Sequence, residues 1–386
     1  MTAGRTAVLH VITGLRMGGA ETALSRLLAT LPSGEFPATV VSLLPGGPLS
    51  ERIQSLGVPV RSLGMRRSLP SLRGALALRR IVRELRPAII QGWMYHGNLA
   101  GWFARSVGRT PARLVWNIRQ SLYDLRRERP GTRLAIRLGA RLSVQCDAIV
   151  YNSQLARRQH EAIGYAAARA RVIPNGFDCE QFRPRADAGA ALRAELGVPP
   201  ERLLVGLVSR YHPMKGHEIF FEAARRVLDA GVDAAFVCAG PDVTAANPRL
   251  AEPIGRLGLA ERVHLLGERH DTPTLFSGFD VSCSASSWGE GFPNAVGEAL
   301  ASGTPCVATD VGDTAVVLGP SGTLVPPGDP EALAEGLRRL LAATPETRRE
   351  AGALGRQRVQ REFSLDRVTE MYAEFYRTLG DGSHSS

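Results

Sequence analysis

Apolar and polar residues alternate along the chain in two kinds of pattern. Short runs rich in Val, Ile, Leu and Ala, bounded by Gly, Pro or polar residues, occupy 7–12, 39–44, 58–62, 88–91, 113–117 and 148–152. Continuous apolar runs of this length predict strands buried on both faces, as in a parallel sheet. Between them, apolar positions recur at helical spacing over 18–31, 49–56, 70–86, 97–107, 130–145 and 154–163. A turn signal, Asn175-Gly176-Phe177-Asp178, and the loose stretch Pro184–Gly189 interrupt the pattern. It then restarts, with strands predicted at 203–208, 234–239, 263–267, 281–285, 306–309 and 323–325. Helices are predicted near 215–230, 247–258, 293–302, 330–343, 345–362 and 365–379. Strand–helix alternation on both sides of the break predicts an α/β protein of two consecutive Rossmann-like domains. They span 1–185 and 186–364, followed by a closing helix at 365–379 and a disordered polar tail at 380–386.

With 386 residues, 44 % of them hydrophobic, the chain can bury two large cores. No run approaches the ~18 apolar residues a spanning helix needs. Ala7–Thr13, broken by His10, reads as a buried strand and not as a signal peptide. Five scattered cysteines without a CxxC spacing predict reduced, buried thiols in a cytosolic protein.

Charge divides the chain at the same place as the pattern. Residues 1–185 carry 28 Arg against 10 acids, a net +18, whereas the remainder carries 19 basic and 27 acidic residues, a net −8. The basic half predicts an anionic partner: nucleic acid, an anionic membrane or a phosphorylated substrate. Of 47 basic residues only Lys215 is lysine. A position that keeps a compact ammonium where every other cation is Arg points to a chemical need for it.

Four constellations follow predicted strands. Gly14-Leu-Arg-Met-Gly18-Gly19-Ala20-Glu21 lies after the first strand and opens the first helix, where paired glycines admit a ligand to the backbone and a helix N-terminus favours an anion. Ser209-Arg210-Tyr-His-Pro-Met-Lys215-Gly216 places two cations on one loop at a strand's carboxyl end, able to clamp a diphosphate and neutralise a phosphate leaving group. Gly289-Glu290-Gly291-Phe292-Pro293-Asn294-Ala-Val-Gly297-Glu298 sets two carboxylates eight residues apart, one in a Gly-rich loop and one inside the following helix. Glu298 there faces an apolar helix and calls for a hydroxyl-bearing ligand. Gln91-Gly-Trp93-Met-Tyr-His96-Gly-Asn98 puts a histidine at a strand's carboxyl end, with Trp116-Asn117-Ile118-Arg119 after the next strand.

Together, in this order and over about residues 6–379, these motifs and the stretch Ala301-Ser-Gly303-Thr-Pro305 through Gly312 resemble the retaining, nucleotide-sugar-dependent glycosyltransferases of the GT-B fold, family 4. The resemblance implies two Rossmann-like domains facing a cleft, with the last helix crossing back onto the first. It implies that Arg210 and Lys215 hold the diphosphate and stabilise its departure. Glu298 would accept hydrogen bonds from the ribose. Glu290, with the backbone of Gly291, Phe292, Pro293 and Asn294, would contact the transferred sugar. His96 would sit near the reacting centre, and Gly18 and Gly19 would approach the phosphates. The base is expected near Leu266, read largely by backbone groups. No metal and no cofactor are implied: the sequence has no Asp-x-Asp, and the cationic clamp supplies the electrostatic work of a metal. The favoured donor is a UDP-sugar, then GDP-mannose.

Arg129, Arg133, Arg137 and Arg141 recur every four residues beside Leu134, Ile136, Leu138 and Leu142, and a second basic stretch runs from Arg66 and Arg67 to Arg86. Arg-rich amphipathic helices suit anionic headgroups. The expectation is a cytoplasmic enzyme, peripheral on the inner face of the plasma membrane, with a lipid-linked or envelope-polysaccharide acceptor held by residues such as Asn98, Arg119, Arg133 and Arg137. The rival readings are a nucleotide-sugar epimerase or phosphorylase on the same fold and a nucleic-acid-binding protein. The last lacks finger spacings and stacking aromatics, so no nucleic acid is expected as a partner.

Overall fold

A computed structural model describes residues 5–16, 18–65 and 72–381. Arg66 and Arg67, and the tail beyond Asp381, lie outside the described residues. The chain forms two compact units: one gathers the residues up to Gly176 and from Leu365 on, the other runs Phe177–Ser364.

The first unit is a seven-stranded, wholly parallel sheet. Its strands are β1 (Val8–Ile12), β2 (Ala38–Ser42), β3 (Val60–Ser62), β4 (Ile89–Trp93), β5 (Arg113–Ile118), β6 (Ala148–Tyr151) and β7 (Ala170–Val172). They lie in the order β3-β2-β1-β4-β5-β6-β7. The connecting helices are α1 (Gly19–Thr30), α2 (Pro48–Ser55), α3 (Leu72–Leu85), α4 (Met94–Gly108), α5 (Pro130–Leu142) and α6 (Gln154–Ala162). One face of the sheet packs on α3, α4 and α5 around Trp116, Tyr95 and Tyr165, and the other packs on α1 and α2 around Trp93, Phe36 and Leu24. Strand β7 was not expected; it is three residues long, with one buried position.

The second unit begins with α7 (Ala188–Leu196) and continues through β8 (Leu203–Val208), α8 (His217–Asp229), β9 (Ala234–Ala239), α9 (Pro248–Arg256) and β10 (Val263–Leu265). Then follow α10 (Thr272–Gly278), β11 (Val281–Ser284), α11 (Asn294–Ala301), β12 (Cys306–Thr309), α12 (Thr314–Leu318) and β13 (Thr323–Val325). Helices α13 (Pro330–Ala342) and α14 (Pro345–Glu362) complete it. Its six parallel strands run β10-β9-β8-β11-β12-β13. In both sheets the strand order reverses beside the first strand, between β1 and β4 and between β8 and β11. Such a switch point opens a crevice at the carboxyl ends of the strands, where α/β sheets bind ligands.

The boundary expected at 185 falls instead after Gly176. Phe177 and Phe182 are buried among Val296, Leu300 and Phe363, the Phe177 amide donates to the Phe363 carbonyl at 2.9 Å, and Arg356 donates to the carbonyls of Phe182 and Cys179 at 2.8 and 3.0 Å. Two aromatic side chains taken wholly out of water, at ~1.5–3 kcal/mol each, fix this Pro-rich segment to the second unit. The segment read as loose also ends early, because Asp187 and Gly197 bracket α7. The closing helix α15 (Leu365–Asp381) clusters with the first unit, packs on α1 and extends two residues past its expected end, so Gly380 is helical. Among the described residues no helix is long and apolar enough to cross a membrane. None of the five cysteines forms a disulfide, and four are buried, Cys179 being half-buried.

Candidate active site

The site of the second unit is built where β8 and β11 end. After Val208 the chain turns through Ser209 and Arg210 into a single tight turn, Pro213–Lys215. His212 caps that turn by accepting the Met214 N–H on Nδ1 at 3.2 Å. Gly216 then reverses the chain into α8 with φ +66°, and a Cβ there would stand 1.9 Å from the Ala285 carbonyl oxygen. Only glycine therefore lets this loop cross the end of β11. The Ser287 amide, donating to the Met214 carbonyl at 2.8 Å, joins the two loops.

The consequence is the placement of Lys215. Its Nζ lies 2.5 Å from Glu290 Oε1, and the same oxygen accepts from Ser286 Oγ at 2.6 Å. Thr309 Oγ1 in turn donates to the Ser286 carbonyl at 2.6 Å. Arg210, Lys215, Glu290, Asn294 and Glu298 all line one cavity of about 330 Å³. Arg210 is exposed at its rim, Glu298 is half-buried, and Glu290 is 9 % exposed. The N-terminal turn of α11, starting at Asn294, opens onto it and adds the positive end of a helix dipole. Two cations, two carboxylates and a helix N-terminus thus surround a space open to solvent. Such a set can neutralise a diphosphate on one side and accept hydroxyl hydrogen bonds on the other.

Sequence reasoning gave Lys215 and Glu290 separate tasks; the structure pairs them. Ser286 and Thr309, which hold Glu290 in place, were not anticipated, although Ser286 stands four residues before Glu290 in the same loop. Ser209 was quoted only as a loop residue, but it lines the cavity with a buried Oγ that has no hydrogen-bond partner among the described residues. Two histidines frame the loop. His217 is buried, and burial, followed by the Lys215 charge, lowers its pKa to about 4. His212 is also lowered, by burial and then by Arg210 and Lys215. The Phe292 ring stacks on Phe177 and meets Phe363 edge-on, while the residue still lines the cavity, where its backbone was expected to contact the sugar. Leu266 donates its amide to the Cys238 carbonyl at 2.9 Å and does not line the cavity.

In the first unit, Gly18 caps α1 in extended conformation, and a Cβ on Gly19 would meet nothing within 4 Å. Glu21, in the first turn, has its carboxyl pKa raised by burial. Strand β4 runs two residues further than expected, so His96 sits in the first turn of α4 and not in a loop. It retains an exposed face, and partial burial of the ring lowers its pKa. Met94, which starts that helix, has φ +60°.

Two residues expected to meet the acceptor have other work. Asn98 is 2 % exposed; its Oδ1 accepts the Asn117 amide at 3.2 Å and its Nδ2 reaches the Asn117 carbonyl at 3.5 Å, tying α4 to β5. Arg119 lies over the Trp93 ring and donates to Tyr372 Oη at 3.3 Å and to Asn175 Oδ1, tying β5 to α15. Arg133 is half-buried on α5, while Arg137 is exposed.

Against known proteins, residues 17–181 match the family model described as Glycosyltransferase Family 4, and residues 202–343 match that described as Glycosyl transferases group 1. The chain belongs to the group 1 and family 4 glycosyltransferases. It is 30 % identical over 218 residues to the lipopolysaccharide core biosynthesis mannosyltransferase LpsB of Rhizobium meliloti, covering 54 % of this chain and 60 % of that one. With the putative glycosyltransferase EpsF of Bacillus subtilis it shares 26 % identity over 336 residues, 80 % of each chain. The chain spans about half the length of several curated relatives that it matches. The crystal structure of Anabaena Alr3699/HepE in complex with UDP and glucose superposes with a TM-score of 0.81 at 22 % identity, covering 97 % of this chain and all of that one. That likeness establishes the GT-B fold.

Proposed function

We propose that the protein transfers a sugar from a nucleoside-diphosphate donor to a glycan acceptor, with retention of configuration and without a metal ion. The observation that carries this reading is the single cavity shared by Arg210, Lys215, Glu290 and Glu298. Arg210 and Lys215 bind the diphosphate, Glu298 accepts from the ribose hydroxyls, and Glu290 with the Gly291–Asn294 backbone holds the sugar. Lys215 shares its charge between Glu290 and the phosphate, a pair of charge-assisted bonds in a partly dry site. As the bond from the anomeric carbon to the phosphate oxygen breaks, the cations stabilise the departing charge. The acceptor oxygen attacks from the same face, and its proton passes to the departing phosphate oxygen.

The favoured donor is a UDP-sugar, supported by the UDP complex of the Anabaena neighbour; GDP-mannose is next, supported by the name of the Rhizobium relative. The acceptor is a lipid-linked or envelope glycan. It is held by the first unit, with His96 at its reacting end, and that unit rests on an anionic membrane face in the cytoplasm.

Incubation with UDP-glucose or GDP-mannose and a lipid-linked glycan extract in EDTA is expected to give an α-linked product from the α-linked donor. A β-linked product, abolition of transfer by EDTA, or an epimerised nucleotide sugar formed without acceptor would each overturn the reading.

A further inference from the structure

Helix α5 is rotated so that two of its leucines, Leu134 and Leu138, face water. Its inner side is made of small or single residues, Ala135, Ile136, Gly139 and Ala140. Gly139 explains the rotation: a Cβ there would stand 2.4 Å from Tyr165 Oη, and that hydroxyl donates to the Ile136 carbonyl at 3.1 Å. With this side pressed against Tyr165, Leu134 and Leu138 point outward at 67 % and 42 % exposure, and Val144 just beyond is 62 % exposed. Arg137 and Arg141 are exposed on the same stripe, and neither forms an ion pair among the described residues. Helix α4, packed between α5 and α3, adds the half-exposed Phe103, and α3 adds the exposed Leu76. Leucines exposed every fourth residue beside unpaired arginines are expensive in water. They are stable where acyl chains accept the leucines and phosphates accept the arginines.

We propose that this face, Leu134, Arg137, Leu138, Arg141 and Val144 with Phe103 beside it, docks the first unit on an anionic lipid bilayer. The occupant is assigned from charge complementarity, since residues 1–185 carry a net +18 while the rest of the chain is net acidic. The inference deepens the reading of the acceptor as lipid-borne by naming the surface that meets the lipid.

The test is co-sedimentation of the full chain with vesicles of equimolar phosphatidylglycerol and phosphatidylcholine, against phosphatidylcholine alone. Binding is expected only to the anionic vesicles and to fall with added salt. The double variant Arg137→Gln/Arg141→Gln should bind roughly 30-fold more weakly. At unchanged charge, Leu134→Ser/Leu138→Ser should bind about tenfold more weakly. Leu354→Ser, an equally exposed leucine of the second unit, should bind as the wild type does. Melting temperature and nucleotide-induced stabilisation, unchanged in all three, show that the fold and the donor site persist. Absence of wild-type binding, or binding by the leucine pair equal to wild type, overturns the proposal and leaves the face to a protein partner. If UDP and GDP stabilise no form of the protein while vesicle binding follows the expected pattern, the transferase reading fails and the docking surface stands.

Discussion

Lys215 meets Glu290 because Gly216 turns the chain where no other residue fits, so the one lysine reports directly on the chemistry of the cavity. Replacing Lys215 by Ala removes the phosphate counter-charge, and turnover should fall about a hundredfold or more. Transfer within about threefold of wild type would separate Lys215 from the leaving group. Glu298, which lines the same cavity, is assigned to the ribose. Glu298→Gln should therefore raise the donor dissociation constant about tenfold while turnover of the bound complex changes little. A large fall in turnover at unchanged donor affinity would exchange the roles of the two glutamates.

At the scale of elements, α15 is joined to the first unit by buried hydroxyls as well as by packing. Asn117 Nδ2 and Arg119 Nη1 donate to Tyr372 Oη at 2.8 and 3.3 Å, and Tyr376 Oη donates to Gln91 Oε1. Tyr372→Phe leaves the buried Asn117 Nδ2 without its acceptor, Arg119 keeping Asn117 Oδ1, a cost of ~1–3 kcal/mol. A melting temperature within one degree of wild type would show that the hydroxyl carries no load. This network explains part of what the sequence could and could not reveal. Strands β8, β9 and β12 fall where their apolar runs end, because a parallel strand buried on both faces has no competing pattern. The motifs at the carboxyl ends of β8 and β11 were readable for the same reason: each follows such a run. Residues 177–185 were assigned to the wrong unit, since their Pro and charged residues resemble a linker and only the tertiary contacts of Phe177, Phe182 and Arg356 say otherwise. Asn98 and Arg119 looked functional because polar residues after a strand suggest a site. Their partners, the Asn117 backbone and Tyr372, come from elements 19 and 253 residues away. The outward leucines of α5 were hidden for a related reason: periodicity gives a stripe, but Tyr165 decides which stripe faces in.

For the whole molecule, each unit carries buried neutral histidines. Burial lowers the pKa of His10 to about 3 and that of His160 to about 4 in the first unit, and burial with the Lys215 charge lowers His217 to about 4 in the second. Burial keeps His160 neutral against the opposing pull of the Ala156 carbonyl, 2.7 Å from Nδ1, and Tyr95 Oη lies 3.0 Å from Nε2. The unfolded chain protonates these rings near pH 6.5, so the unfolded state binds more protons below that value. Their contribution to stability is complete above about pH 6.5 and is lost as the pH falls toward 4, by up to ~1.4 kcal/mol per pH unit for each ring. The melting temperature should be level from pH 7 to 8 and drop steeply below about 6; a level curve down to pH 5 would contradict the buried neutral assignment. The central claim is that the cavity of the second unit binds a nucleoside diphosphate through its cations. It is tested most directly by thermal stabilisation with UDP, GDP, ADP and dTDP in EDTA, on the wild type and Lys215→Ala. A ligand at a hundred times its dissociation constant adds ~2.7 kcal/mol. The account predicts that one nucleotide, UDP first, raises the melting temperature of the wild type and not of Lys215→Ala. No shift with any of the four, or an equal shift in the variant, would contradict it.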